Sequence, residues 1–167
     1  MLVWPEKQAL ILKTRNPDRI LNALPSAKTF SVKGNPLVAV PHKTAETVLL
    51  RNMGFNAPAP IRSYYNWSGR FTPFKAQKEA AAFLSIHKRA FNLSELGTGK
   101  SLAALWAYDY LRGVGQLNKA LIISPLSTLE RTWADELFNH FPHLTFGVLH
   151  GTKQKRLKLL EEDFDVY

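Results

Sequence analysis

The chain has 167 residues, 46% of them apolar, and carries a formal net charge of +9. This length suits one ordinary domain, or one small domain followed by part of another. With no cysteine, the chain has no disulfide framework and no thiolate metal site, and its five histidines lack the i, i+4 spacing of a zinc site. Glu6 and Lys7 interrupt the apolar N-terminus, so we expect neither a signal peptide nor a membrane partner.

The positive charge is concentrated in the first part of the chain. Residues 1–70 contain ten Lys and Arg against three Asp and Glu, whereas residues 71–167 contain twelve against ten. An uneven basic excess of this kind favours a polyanion as the partner of the first part. The alternative is a solvated basic surface that only aids solubility.

The first 56 residues are predicted to form a small basic α+β domain. Its predicted elements are a strand at 8–14, a helix at 16–24, a hairpin of 29–32 with 37–40, and a helix at 43–53. Residues 57–72 are predicted to be a linker, because Pro58 and Pro60 interrupt regular structure. Three aromatic residues in it either stack on bases or, more commonly, pack between two domains: Tyr64, Tyr65 and Trp67.

From residue 73 onward, helix-like and strand-like segments alternate. Helices are predicted at 75–88, 100–112, 127–140 and 152–162, with strands at 90–94, 119–124 and 144–149 and a last one from Phe164. Such alternation predicts an α/β fold in which a parallel sheet is covered by helices. A nucleotide would then bind beyond the carboxyl ends of the strands.

A glycine-rich turn precedes the second of these helices. Five consecutive residues have the composition of a polyphosphate-binding loop: Gly97, Thr98, Gly99, Lys100 and Ser101. Backbone N–H groups of such a turn face the anion, the lysine reaches the β- and γ-phosphates, and the serine hydroxyl binds Mg²⁺. The strict pattern has a glycine where this chain has Ser94, so a strand-to-helix turn without a ligand is the alternative.

Three segments together resemble one protein family. They are Pro73-Phe-Lys-Ala-Gln77, Glu95-Leu-Gly-Thr-Gly-Lys-Ser101 and Ser124-Pro-Leu-Ser-Thr128. In this order and spacing the chain resembles the Swi/Snf-type DNA-dependent ATPases of helicase superfamily 2, with the segments matching the Q motif, motif I and motif Ia. The resemblance implies that residues 73–167 are the N-terminal part of a RecA-like ATPase lobe. Residues 1–56 resemble, more weakly, the accessory domain placed before the motor in annealing helicases.

The resemblance also implies the ligands, which are ATP with Mg²⁺ and duplex or branched DNA. Gln77 would read the adenine edge, which suits an amide because it donates and accepts at once, and Arg70 or Phe71 would pack on the adenine ring. Residues 97–101 would hold the phosphates, with Lys100 as the catalytic lysine and Ser101 as the Mg²⁺ ligand. Ser124 and Thr128 would hold a DNA phosphate. The alternative is an ordinary N-cap, with Ser127 and Glu130 at capping-box spacing, and the two interpretations are compatible.

The family hydrolyses ATP with a D-E-x-H motif and with arginines from a second RecA-like lobe, and residues 1–167 contain neither. We therefore expect the N-terminal part of a motor, unable to hydrolyse ATP by itself, with the rest supplied by later sequence. Its expected location is the cytoplasm of a bacterium or phage-infected cell, or the nucleus of a eukaryote. The alternative is a non-catalytic DNA-binding module that retains the loop. A P-loop kinase or GTPase is disfavoured, because no Asn-Lys-x-Asp guanine-reading motif follows the loop; Asn118-Lys119 is succeeded by Ala-Leu.

Overall fold

The computed structural model describes residues 1–67 and 69–167, which divide into two compact units. The first unit comprises residues 1–65 with 85–88, and the second comprises residues 66–84 with 89–167. No helix in the described part of the chain is long and apolar enough to cross a membrane.

The division between the units differs from the linker predicted at 57–72. Ala57, Ala59 and Ile61 are buried, so the proline-containing segment packs within the first unit. Ser68, also in the predicted linker, lies outside the described residues.

The first unit is built on a four-stranded antiparallel sheet with the strand order β1-β2-β4-β3. Its strands are β1 (Leu2–Trp4), β2 (Ala9–Leu12), β3 (Lys28–Val32) and β4 (Asn35–Pro41). A 3₁₀ turn at Pro5–Lys7 joins the first two. The helices of this unit are α1 (Pro17–Ala23), α2 (Thr44–Asn52) and α3 (Ile61–Tyr64).

Local sequence signals determine where these elements begin and turn. Lys33 and Gly34 have φ angles of +49° and +78°, so two left-handed residues connect β3 to β4, the geometry that a two-residue hairpin favours. The predicted hairpin is therefore confirmed. Helix α1 begins after Asn16, whose side chain accepts a hydrogen bond of 3.3 Å from the Arg19 N–H, and Pro17 occupies the first helical position.

The core of the first unit lies on one face of the two central strands. Leu10 is opposite Val40, and Leu12 is opposite Val38, so alternate residues of both strands face the same side and are buried. Helices α1 and α2 contribute buried residues to the same cluster, of which Ile20 is one. Burying each such aliphatic side chain stabilises the fold by about 1.5–3 kcal/mol relative to leaving it exposed.

The second unit contains most of the helices that the sequence predicted. They are α4 (Lys75–Ile86, of which residues up to 84 belong to this unit), α5 (Lys100–Gly113), α6 (Leu126–Thr128), a π-helix (Leu129–Ala134), α7 (Asp135–His140) and α8 (Lys153–Glu161). The predicted helices at 75–88, 100–112 and 152–162 are confirmed. The one predicted at 127–140 is interrupted by the π-helical segment, which accommodates an extra residue in its turn.

Among the described residues, two isolated parallel bridges stand where a parallel sheet was predicted for the second unit. Val166 pairs with Ala120 on one side and with Phe146 on the other. The Ala120 N–H donates to the Asp165 carbonyl at 2.9 Å, and the Gly147 N–H donates to the Val166 carbonyl at 3.0 Å. The fold is thus mixed α and β, as predicted.

The regular strands predicted at 90–94, 119–124 and 144–149 are wrong for the residues that the structure describes. The segments around residues 120 and 146 each pair with Val166 through a single bridge, so the strand predicted from Phe164 is also reduced to these bridges. The 90–94 segment has no regular structure, and its apolar side chains are exposed, Phe91 by 87% and Leu93 by 89%. An apolar segment becomes a regular strand only where a neighbour accepts its backbone hydrogen bonds.

Candidate nucleotide-binding site

The glycine-rich turn forms a closed loop that its own side chains hold together. Gly97 and Gly99 have φ angles of +75° and +74°, the left-handed region that glycine adopts without strain. The Thr98 hydroxyl donates to the Glu95 carbonyl at 2.8 Å, and Lys100 Nζ donates to the Glu95 and Ser94 carbonyls at 2.6 and 2.7 Å. The lysine charge is therefore fixed inside the loop.

Helix α5 begins directly at this loop with its first N–H groups free of a side-chain cap. Its N-cap is Gly99, which has no side chain to accept a hydrogen bond. The N–H groups of the first helical turn have no carbonyl partner within the helix, and the helix dipole places a partial positive charge at this end. Buried residues further along α5, Leu105 and Trp106 among them, anchor the helix. The arrangement suits an anion.

Gln77 links the loop to a neighbouring pocket. Its side-chain oxygen accepts a hydrogen bond of 2.9 Å from the Phe74 N–H, and the residue is only 9% exposed. A Cβ added at Gly99 would overlap the Gln77 side-chain nitrogen, so the close approach of the two residues requires glycine at that position. The amide therefore packs against the loop that the sequence assigned to phosphate.

The pocket beside Gln77 has a volume of about 540 Å³. Its lining is mostly apolar and aromatic with one cation, and consists of Arg70, Phe71, Thr72, Phe74, Gln77, Leu102 and Trp106. The Arg70 guanidinium lies 5.8 Å from the centre of the Phe71 ring. A flat heteroaromatic ring suits such a pocket, because the arginine and phenylalanine offer stacking faces and the amide offers polar contacts. Arg70 and Gln77, predicted to bind one nucleotide, line one pocket.

The donors at the loop fit a Mg²⁺-bound polyphosphate. Nothing lies within 4 Å of a Cβ added at Gly97, so space is open above the turn. Lys100 supplies a positive charge, and Ser101, a hydroxyl residue in the first turn of α5, is partly buried. A hard cation with oxygen ligands accepts a hydroxyl together with phosphate oxygens. The roles of residues 97–101 remain predictions that this geometry fits.

Ser124 and Thr128 lie together and are not among the described residues that line the nucleotide pocket. The Thr128 hydroxyl lies 3.1 Å from the Ser124 hydroxyl and donates to the Pro125 carbonyl at 2.8 Å. The alternative was an ordinary N-cap with Ser127 and Glu130 at capping-box spacing; Pro125 is the N-cap of α6 and Thr128 that of the π-helix, and no side chain caps either helix. Their assignment to a DNA phosphate stays a prediction.

No sequence motif predicts the contact between α7 and Arg70, one of the residues that line the pocket. His140 is 2% exposed, and its Nδ1 accepts a hydrogen bond of 3.1 Å from the Arg70 N–H. The Phe71 ring lies 5.1 Å from the His140 ring, centre to centre. Seventy residues separate Arg70 from His140, and a lone histidine in an amphipathic helix carries no motif that would have found this contact.

Asp165 is a second residue that the motifs missed. Its carboxylate accepts hydrogen bonds from Arg112 of α5 and from the N–H and hydroxyl of Thr145, the last two at 2.9 and 3.1 Å. Burial raises the pKa of this carboxyl, but the hydrogen bonds from Thr145 and Arg112 outweigh burial, so the pKa lies below its ordinary value. The ionised side chain thus joins α5 to the segment at residue 145.

The geometry defines a candidate site for a nucleotide polyphosphate, and comparisons with known proteins show what the chain is similar to. No protein-family model matches the chain. The ISWI chromatin-remodeling complex ATPase ISW2 of Saccharomyces cerevisiae is 36% identical over 92 residues, which are 50% of this chain. The related ATPase ISW1 of the same yeast is 30% identical over 108 residues, or 59% of the chain. The chain spans 8% and 9% of the length of these two relatives.

Among solved structures, the chain is similar in fold to the SWI2/SNF2 ATPase core of Sulfolobus solfataricus in complex with dsDNA. It is 27% identical, with a TM-score of 0.51, and the match covers 60% of this chain and 21% of that one. Together with the yeast relatives, this match confirms the predicted resemblance to Swi/Snf-type ATPases of helicase superfamily 2.

Proposed function

We propose that this chain is the ATP-binding, N-terminal part of a DNA-dependent ATPase that moves on duplex or branched DNA. The observation that carries the proposal is the position of Gln77. This amide lines an aromatic pocket and packs against Gly99 of the glycine-rich loop, so one buried side chain connects a base-sized pocket with a polyphosphate-binding turn. Swi/Snf-type relatives described as ATPases support the same conclusion.

In this proposal each part of the site has a separate task. The free N–H groups of the first α5 turn and Lys100 bind the phosphates, and Ser101 contributes its hydroxyl to Mg²⁺. Gln77 and Arg70 hold the adenine. When bound, Mg²⁺ shields the negative charge of the β- and γ-phosphates. Hydrolysis also needs an acid that organises the metal, an acid that positions water, and opposing arginines. Because residues 1–167 lack the D-E-x-H motif, the chain binds ATP without DNA-stimulated turnover.

Titration of Mg·ATP into the purified chain by calorimetry tests the proposal. Lys100→Ala removes a cation that donates to phosphate oxygens, a contact worth roughly 1.5–3 kcal/mol, and should weaken binding roughly tenfold to a hundredfold. Lys153→Ala is the matched control, since it removes one exposed lysine from α8 and should leave the affinity unchanged. Circular dichroism of both variants checks the fold. Equal affinity of Lys100→Ala and the unsubstituted chain would refute the site.

We further propose that the chain binds duplex DNA, chiefly through the basic first unit. The excess of seven positive charges in residues 1–70 supports this, as does the similarity to an ATPase core solved with dsDNA. Each phosphate neutralised contributes about −0.9 to the slope of log K against log salt. DNA binding without any ATP binding would favour the alternative function, a non-catalytic DNA-binding module.

The test of DNA binding compares two sets of three lysine substitutions. Lys13, Lys28 and Lys33, all exposed in the first unit, are changed to Gln in one variant. Lys153, Lys155 and Lys158 on α8 are changed in the control. Binding of a fluorescent duplex is measured by anisotropy at several salt concentrations. The first variant should lose up to about 0.9 of slope for each lysine, and the control should lose less. The opposite order would move the DNA contact to the second unit.

A further inference from the structure

We propose that His140 is a positioning residue for the segment of residues 69–71, which forms one side of the nucleotide pocket and is called the wall below. His140 acts on this segment through its backbone. The inference rests on the proposed function, because it concerns how that pocket distinguishes a nucleotide from a bare polyphosphate. His140 lines neither the loop nor the pocket itself. It holds the segment that carries two of the pocket residues, Arg70 and Phe71.

The contact between His140 and this segment is close and directional. His140 is the last residue of α7, and its Nδ1 accepts the Arg70 N–H at 3.1 Å. A Cβ added at Gly69, where φ is +135°, would lie 2.7 Å from the same nitrogen, so only glycine lets the backbone pass this near. The Phe71 ring completes the contact by packing at 44° against the imidazole.

Arg70 and Phe71 line two cavities of the second unit. The first is the nucleotide pocket of about 540 Å³, which Gln77 also lines. The second is a cavity of about 280 Å³, lined in addition by His140 and Glu136. A short segment that lines two cavities has little packing to fix it, so its hydrogen bond to a buried side chain determines where the two pocket residues stand.

The protonation of the imidazole follows from this geometry. Because Nδ1 accepts the Arg70 N–H, it carries no proton, and the neutral ring must carry its proton on Nε2. Nε2 lies 3.4 Å from the Glu136 carboxylate, one helical turn earlier on α7. Arg131 and Asp135, together with Arg70, are the other charged residues that line the cavity. A carboxylate at Nε2 keeps the ring in the tautomer that leaves Nδ1 free to accept.

The π-helix before α7 sets which side of the helix meets the wall. Positions 136 and 140 lie on one face, since they are four residues apart. An extra residue accommodated in the segment Leu129–Ala134 rotates all later positions by about 100° relative to an uninterrupted α-helix. The interruption therefore decides that the His140 face, and not a neighbouring one, is turned to residues 69–71.

Two ligands separate a positioning role from a structural one. ATP uses both the pocket and the loop, whereas inorganic tripolyphosphate uses the loop alone. Both are titrated with Mg²⁺ into the chain and into His140→Leu, which keeps volume but removes the acceptor. We expect ATP affinity to fall about tenfold and tripolyphosphate affinity to change by less than about twofold, since loss of base stacking and amide contacts is of this order.

Rescue by a conservative substitution makes the test specific. The side-chain oxygen of Asn occupies roughly the place of histidine Nδ1, so His140→Asn should restore most of the ATP affinity. His143→Asn is the matched control, because it removes a nearby histidine that is hydrogen-bonded to Asp109. It should leave the affinities for both ligands unchanged. Gly69→Ala gives an independent variant if His140→Leu does not fold. The added Cβ would displace the backbone of residues 69–71 from the imidazole, so Gly69→Ala should reproduce the selective loss of ATP affinity.

The outcomes distinguish this inference from the proposed function. If the unsubstituted chain binds neither ligand, the proposed nucleotide site fails and the inference fails with it. If it binds both, and His140→Leu and Gly69→Ala bind ATP normally, the positioning role is wrong while the site stands. Equal loss of both ligands, or no rescue by a folded His140→Asn, also overturns the role. Selective loss of ATP with rescue supports it.

Discussion

The first unit pairs four strands in an antiparallel sheet, whereas the second pairs its extended segments in parallel through two isolated bridges. In the first unit, a hairpin turn brings two strands that are near in sequence together, since β4 follows β3 across two residues. In the second, residues 120 and 146 reach a common partner at 166. Antiparallel strands can be joined by a two-residue turn, whereas parallel pairs need segments that lie far apart in the chain.

The comparison also separates regular structure from the candidate site. Among the described residues, the regular four-stranded sheet lies in the first unit, whereas the loop, the amide and the pocket lie in the second. There the helices position the site, since α5 carries buried residues along most of its length. Stability and ligand binding should therefore respond to different substitutions.

The largest expected effect is on the core of the first unit. Leu10→Ala empties a fully buried position between β2 and β4, and such changes cost about 2–5 kcal/mol of the free energy of unfolding. Leu49→Ala is the control, because that side chain is 42% exposed. Hydrogen exchange followed by mass spectrometry shows which of the two units loses stability. If Leu10→Ala loosens α5 as much as β2, the two units do not unfold separately.

A smaller effect is expected from the ionised contact that joins α5 to the bridges of the second unit. Asp165→Asn leaves Arg112 and Thr145 with weaker partners and should cost about 1–3 kcal/mol in this unit. Asp163→Asn removes a carboxylate that is 95% exposed and pairs with Lys119, so it should cost less than about 1 kcal/mol. Chemical denaturation measures both. Equal effects of the two substitutions would contradict the importance assigned to Asp165.

The smallest expected effect is the pH dependence of the first unit. His42 is buried, with Nδ1 2.8 Å from the Tyr64 hydroxyl and Nε2 2.8 Å from the Pro58 carbonyl. Burial lowers the pKa of His42 below 6.5, although the bond to Pro58 opposes this. The unfolded chain thus binds a proton at His42 more readily than the folded chain does. The contribution of neutral His42 to the free energy of unfolding is therefore complete above about pH 6.5, and it is lost as pH falls through the folded pKa.

Unfolding free energies measured between pH 5 and 8 test this sign. The unsubstituted chain should become less stable as pH decreases, and His42→Gln should lose this component of the slope. Stability that rises with falling pH would mean that the charged form of His42 is favoured in the folded state. The result would then contradict the hydrogen-bonding arrangement at Pro58 and Tyr64.

The sequence allowed correct prediction of elements that depend on near neighbours. The hairpin at residues 33 and 34, the capped start of α1 and the extent of α5 all follow from turn residues, a cap and helical periodicity. Strands at 90–94 and 119–124 were not predictable in this way, because an apolar run does not specify a distant partner. The motif residues were identified, but the contacts of Gln77 with Gly99 and of His140 with Arg70 arise only from packing.

The two carbonyl contacts of Lys100 have a consequence for the speed of ligand capture. A free lysine side chain loses about 1.5–2 kcal/mol of rotamer entropy when it is immobilised. Here the ammonium is already restrained by the Ser94 and Glu95 carbonyls at 2.7 and 2.6 Å, so most of that ordering precedes the arrival of a phosphate. An incoming anion exchanges partners with a stationary charge, and association should then be limited by encounter and not by rearrangement of the loop.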